Sequence, residues 1–148
     1  MRHTKKNIHL SICLALLVAA TACRGNAPSN TTGTAGTAAV RVTDVTLGRS
    51  VGGDKAVADS TTTFSPNDTI YASVATEGSA PSATLRAKWS FEDGQLVDET
   101  TQTIAPSSRE RTEFHISKPN GWPAGKYKLE VFLNDQSADT KSFDVRGS

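Results

Sequence analysis

Beyond Val40 the chain runs in short stretches that alternate apolar and polar residues, separated by Gly, Pro, Asn and Asp. Successive residues of a strand face opposite sides of a sheet, so this period of two predicts half-buried strands rather than helices. Val40, Val42, Val45 and Leu47 form a first strand, whose phase slips at Asp44 through a β-bulge. Gly48 to Pro66 is a polar connection in which only Val57 and Phe64 are expected to be buried. Ile70, Ala72 and Val74 mark a second strand. Leu85, Ala87, Trp89 and Phe91 alternate with Thr84, Arg86, Lys88 and Ser90 on a third, and Asp93-Gly94 then supplies the positive φ of a tight hairpin. The return strand, Gln95 to Ile104, is polar and reads as a sheet edge. Phe114 and Ile116 face inward from a fifth strand, with Arg109, Arg111, Glu113 and His115 outward. After a loop from Lys118 to Gly125, the sixth strand turns Tyr127, Leu129, Val131 and Leu133 inward. Asn134-Asp135 reverses the chain, and the seventh strand ends with Phe143 and Val145. Seven antiparallel strands without a helix predict an all-β sandwich over residues 39–148.

The pattern ahead of Val40 is of another kind. Arg2, Lys5 and Lys6 precede an apolar run of about 15 residues from Ile8 to Ala22, shorter than the roughly 20 that a spanning helix needs. A basic start, a short apolar segment and small residues before a cut are the parts of a bacterial export signal, here residues 1–22. Ala20-Thr21-Ala22-Cys23 resembles the lipobox of bacterial lipoproteins, although Ala20 stands where most carry Leu. The resemblance implies cleavage before Cys23 and acylation of its sulfur. The competing reading takes Ala20-Thr21-Ala22 as an ordinary A-x-A site and releases a soluble protein. Cysteine usage favours the first. Cys13 is removed with the signal, so an unmodified Cys23 would be a lone thiol in an oxidising compartment. Arg24, standing where Asp commonly retains such proteins at the inner membrane, implies the outer membrane if the source is Gram-negative. Residues 23–38 hold no large apolar side chain and are rich in Gly, Ser and Thr, which predicts a flexible tether reaching about 20–25 Å.

Charge narrows the partners. Three of the 16 Lys and Arg lie before Cys23, leaving 13 against 15 Asp and Glu. A chain with this slight acidic excess lacks the basic stripe that nucleic-acid binding demands. With no second cysteine after Cys23 there is no disulfide, and the fold must rest on its apolar core.

Pro123-Ala124-Gly125-Lys126-Tyr127, leading into an alternating strand, resembles the start of strand F in immunoglobulin-like and fibronectin type III domains. The resemblance makes Tyr127 the corner tyrosine of that fold and Trp89 the core tryptophan of strand C. Leu129 stands where antibody-type domains carry a cysteine, so the likeness is to cysteine-free bacterial modules. The run from Gly121 to Tyr127, together with the signal, is similar to small bacterial lipoproteins. The implied architecture is a seven-stranded Ig-like sandwich behind a signal peptide and linker, a fold that hosts many unrelated roles.

Catalytic chemistry finds little support. Cys23 aside, His115 is the one histidine or cysteine left after the signal, so neither a nucleophile triad nor a zinc site can be assembled, and no cofactor or metal is expected. Glu92-Asp93 falls in a turn, and Asp98-Glu99 alternates across an edge strand. Two surfaces are candidates for binding. Arg86 and Lys88 share an outer face with Lys128, Glu130 and Phe132, which is either a seat for a protein or anionic glycan or a solvated face of cross-strand pairs. Trp122 either stacks on a sugar or plugs the sandwich beneath Tyr127. The expectation is a non-catalytic interaction or structural module, tethered to the membrane through Cys23 in the cell envelope. A carbohydrate-binding accessory domain is the alternative.

Overall fold

The computed structural model describes residues 39–147, so the expected signal peptide, Cys23 and the linker all lie outside the described residues. Eight strands follow one another: β1 (Arg41–Gly48), β2 (Thr63–Phe64), β3 (Ile70–Glu77), β4 (Ala83–Phe91), β5 (Gln95–Ile104), β6 (Glu110–Ile116), β7 (Gly125–Leu133) and β8 (Gln136–Val145). They form a three-stranded sheet in the order β1-β3-β6 and a five-stranded sheet in the order β2-β8-β7-β4-β5. Among the described residues there is no helix. The architecture is all-β, an immunoglobulin-like sandwich in its sheet layout, with a core tryptophan on β4 and a corner tyrosine on β7.

The extra strand corrects the expected count of seven. Thr63 and Phe64 run parallel to β8 and pair with Asp144 and Val145. Two residues are too few to show an alternation, so a bridge this short leaves no periodic trace in the chain. Phe64 is buried as expected, whereas Val57 is only half-buried. The slip in β1 is present: the β1–β3 register shifts between Val42 and Asp44. β5 is the last strand of its sheet, and a second bulge marks it. Asp98 pairs with Trp89 and Leu96 with Ser90, leaving Val97 as the extra residue.

The core fills the space between the sheets. Trp89, Leu85 and Ala87 of β4 lie beside Leu129 and Val131 of β7 in one sheet, and Ile70, Ala72 and Val74 of β3 in the other sheet complete the core. Phe143 is the hub. Its ring stacks on Tyr127 at 5.3 Å and meets the edges of Phe64 and Trp89 at 5.5 and 5.9 Å. Truncating a buried aromatic of this size costs about 3–5 kcal/mol. A surface ion pair contributes about 0–1 kcal/mol, so packing, not charge, holds the sheets together.

Turn chemistry sets the register at the ends. Asn134 and Asp135 have φ of 49° and 63°, the two positive values that a two-residue I′ hairpin requires and that Asn and Asp tolerate. Asn134 also clamps β4, accepting from the Thr84 N–H at 2.9 Å and donating to its carbonyl at 2.8 Å. The β4–β5 connection is a three-residue loop, Glu92 to Gly94, with Gly94 at φ 99°.

Between β1 and β2 the chain makes an excursion that Arg49 fastens down. Its guanidinium binds Asp68 at 3.0 Å and Asp59 at 3.3 Å, donates to the Thr63 carbonyl at 2.7 Å and lies 5.8 Å from the Phe64 ring. Hydrogen bonds donated to Asp68 and then to Asp59 raise the guanidinium above its ordinary pKa. The same excursion lays the Asp59 carbonyl and the Val57 side chain directly over the Cα of Gly48. A methyl group there collides with backbone that cannot swing away. Gly48→Ala is therefore expected to lower stability by about 1–3 kcal/mol, the usual cost of forcing atoms into a filled space. Gly53, with nothing near its own Cα, serves as control: Gly53→Ala should stay within about 0.5 kcal/mol of the parent. Urea denaturation midpoints check both, and equal midpoints for the two variants overturn the close-approach argument.

Candidate binding surfaces

Antiparallel pairing brings the predicted outer face together. Arg86 lies opposite Phe132, Lys88 opposite Glu130, and Ser90 opposite Lys128. On the other side of β4, Lys88 stands opposite Glu99. The Arg86 guanidinium lies 4.0 Å from the centre of the Phe132 ring, and it binds Glu99 at 3.1 Å and Asp135 at 3.4 Å. Lys128 reaches Glu130 at 3.5 Å, and Lys126 reaches Asp144 at 3.2 Å. Phe132 is thus half-buried under a cation, and Arg86, Lys126 and Lys128 are each paired with a carboxylate, while Lys88 stands in register between Glu130 and Glu99. The arrangement is that of a solvated sheet face with cross-strand pairs.

Trp122 takes the other of its two expected places. It is 6% exposed, its indole N–H donates to the Asp68 carbonyl at 2.9 Å, and its ring meets Tyr127 edge-on at 6.1 Å. Its backbone N–H also donates to the Pro66 carbonyl at 2.7 Å, tying the β6–β7 loop to the loop before β3. The tryptophan plugs the end of the sandwich and has no open face on which a sugar ring could lie.

Tyr127 beside it completes the corner. Its hydroxyl donates to the Pro123 carbonyl at 2.9 Å, four residues back, as the resemblance implied. Burial, and then the charge of Glu92, push its phenol pKa above the ordinary value of 10.0. Glu92 accepts from the Lys126 N–H at 3.0 Å, so the β4–β5 loop is fastened to the start of β7.

One surface was missed at the level of sequence. A cleft of about 210 Å³ opens between the β4–β5 hairpin and the β6–β7 loop. Phe91, Leu96 and Val97 form one wall, and Lys118, Trp122 and Tyr127 the other. Leu96, 57% exposed, is the exposed large hydrophobic residue of the described chain. The adjacent pair Leu96-Val97 breaks the alternation of a strand otherwise read as polar, and that break was the available signal. The Lys118 ammonium lies 5.9 Å from the Trp122 ring centre. His115 stands apart on the three-stranded sheet, its Nδ1 2.6 Å from Glu113 and its ring 5.5 Å from Tyr71. Among the described residues, no group of three or more His, Cys, Asp or Glu is placed to hold a metal ion.

No family model and no curated protein sequence matches the chain. Among solved structures it is similar to an immunoglobulin-like protein from Pseudomonas aeruginosa, at 20% identity and a TM-score of 0.49, over 75% of this chain and 99% of that one. It is also similar to the alkylpurine DNA glycosylase AlkC of Pseudomonas fluorescens, solved bound to DNA containing an abasic site analog, at 13% identity and a TM-score of 0.47. That match covers 72% of this chain and only 30% of the glycosylase. A third likeness is to a CARDB domain from Pyrococcus furiosus in complex with di-metal ions, at 14% identity and a TM-score of 0.40, over 71% and 88% of the two chains. None of these carries an activity over to this chain.

The corner generates a prediction. Replacing Tyr127 by Phe keeps the ring and orphans the Pro123 carbonyl, which should cost about 1 kcal/mol at neutral pH. A phenol pKa raised on folding contributes stability that is whole below pH 10 and lost as pH rises through the folded value. The parent should therefore lose stability above pH 10 more steeply than Tyr127→Phe, as read by urea denaturation across an alkaline series. Parallel pH curves would remove Tyr127 as the cause.

Proposed function

We propose that this chain is a lipid-anchored module of the bacterial cell envelope whose immunoglobulin-like sandwich binds or braces a protein partner and carries no catalytic centre. The observation that bears the reading is Cys23, which follows Ala20-Thr21-Ala22 and an export-signal pattern and is the lone cysteine left after the proposed cut. Acylation accounts for a thiol that otherwise has no partner in an oxidising compartment. Several acyl chains make such an attachment durable, where one alone would hold weakly. Arg24 in place of the Asp that commonly retains such proteins at the inner membrane supports the outer membrane if the organism is Gram-negative.

The chemistry of the described residues fits a binding role. His115 faces outward with one carboxylate beside it, and the paired carboxylates of Glu92-Asp93 and Asp98-Glu99 sit in a loop and on an edge. Neither set is assigned a catalytic role in this reading. The alternative, a carbohydrate-binding accessory domain, rests on Trp122 and Phe132. The first is a buried plug, and the second lies under Arg86.

Two measurements test the proposal. Intact-mass analysis of the chain from envelope membranes should show a mature protein beginning at an acylated Cys23, and Cys23→Ser should stay unprocessed. An unmodified chain released into the soluble fraction overturns the anchor. Crosslinking in intact cells should join the module to a protein. Retention on isolated wall or polysaccharide without a protein crosslink would instead favour the carbohydrate reading.

A further inference from the structure

We infer that the cleft between Leu96 and Trp122 docks an extended segment of a partner protein. The segment pairs with the open edge of β5, seats one apolar side chain in the cleft and turns a carboxylate toward Lys118. The inference rests on the reading of this chain as an interaction module and specifies where and what it binds.

Four observations converge on it. The first is apolar exposure in one place. Leu96 is 57% exposed where Phe91, Val97, Trp122 and Tyr127 already line a depression, so a contact here removes further apolar surface from water. The second is size. A volume of about 210 Å³ lies below the roughly 300–1,000 Å³ typical of small-molecule sites, and suits a single side chain better than a free metabolite. The third is the bulge at Val97, which brings two consecutive residues of β5 to the same cleft. Regular alternation would send one of them to the opposite face. Bulges at sheet edges are a common way to re-aim side chains next to a site. The fourth is the edge itself. β5 ends its sheet, so its outer N–H and C=O groups are open to a further strand, as in β-augmentation.

Charge decides between occupants. Lys118 makes no ion pair among the described residues, a property it shares with Lys88 of the outer sheet face, but Lys118 alone of the two lines the cleft. It therefore calls for an anion on the bound segment. A second copy of this chain fits poorly, because antiparallel self-pairing of β5 sets the Asp98-Glu99 pairs of both strands close together, and like charges across a ladder repel. A glycan lacks a platform, since Trp122 is buried and its N–H is committed to Asp68. The position suits a protein reached from outside. β1 starts at Arg41, paired with Glu77 at the opposite end of the sandwich, so the cleft lies at the pole away from where the described chain enters the fold.

The experiment places a photocrosslinking benzoylphenylalanine at position 96, or at position 88 on the outer sheet face, in the full-length chain in intact cells. Crosslinked peptides are sequenced by mass spectrometry. The inference expects a crosslink from position 96 to a segment carrying an apolar residue next to Asp or Glu. A synthetic copy of that segment should bind the purified full-length chain about tenfold or more weakly after Leu96→Ser or Lys118→Glu, both surface changes that spare the core. Exchanging the segment's carboxylate residue for Lys should recover binding to the Lys118→Glu variant. Crosslinks from position 88 alone overturn the cleft while leaving the module reading intact. A segment without a carboxylate, or binding indifferent to both variants, also overturns it. Crosslinks from neither position overturn the module reading itself.

Discussion

The contact between Phe143 and Tyr127 is the one on which the rest of this sandwich depends. No disulfide crosses between its sheets, so they must be held together by packing alone. Phe143 comes from β8 and Tyr127 from β7, neighbouring strands of one sheet, and their stacked rings form a surface that reaches Phe64 and Trp89 on one side. On the other side Tyr127 meets Phe91 at 4.7 Å and Trp122 at 6.1 Å. A continuous aromatic row thus runs from the middle of the core to the pole where the β4–β5 hairpin and the β6–β7 loop meet. The row tolerates imperfection, since Trp89 Nε1 is buried with no hydrogen-bond partner in the protein. Such a group costs about 1–3 kcal/mol, and the indole's apolar burial offsets that cost.

The same row gives the pole its two characters. Trp122 and Tyr127 close the core there, each polar tip satisfied by a backbone carbonyl from a loop. Their outer edges, with Leu96 across from them, leave a depression that the core itself does not fill. At the other pole β1 begins, the Asn134-Asp135 hairpin is clamped to Thr84, and Arg41 pairs with Glu77 at 2.8 Å. The described chain thus enters at one end of the sandwich, and its exposed apolar surface lies at the other. On the broad outer face between the poles, Arg86 and Lys128 are paired with carboxylates of the same face.

Much of the body was legible along the chain, because alternation reports burial wherever a strand is long and one face meets the core. Leu85, Ala87 and Trp89 are buried in that phase, as are Tyr127, Leu129 and Val131, and the slip at Asp44 is a bulge. Trp122 was left open between sugar platform and plug, since loop residues carry no periodicity to orient them. Phe132 was ambiguous for another reason: alternation gives its face but not the side chain that covers it. Leu96 was overlooked because a bulge moves a residue between faces through a register shift that only the partner strand reveals.

What the amino-acid order determined alone was local: which residues turn and which alternate. These follow from backbone sterics and side-chain polarity, neither of which needs a distant neighbour. The tertiary structure decided everything set by pairs far apart in the chain. It put Arg86 over Phe132, brought Thr63 and Phe64 alongside β8, and set Leu96 across a cleft from Trp122. The physical reason is that register and sheet packing bring together groups tens of residues apart, and contacts between them leave no periodic mark on either segment.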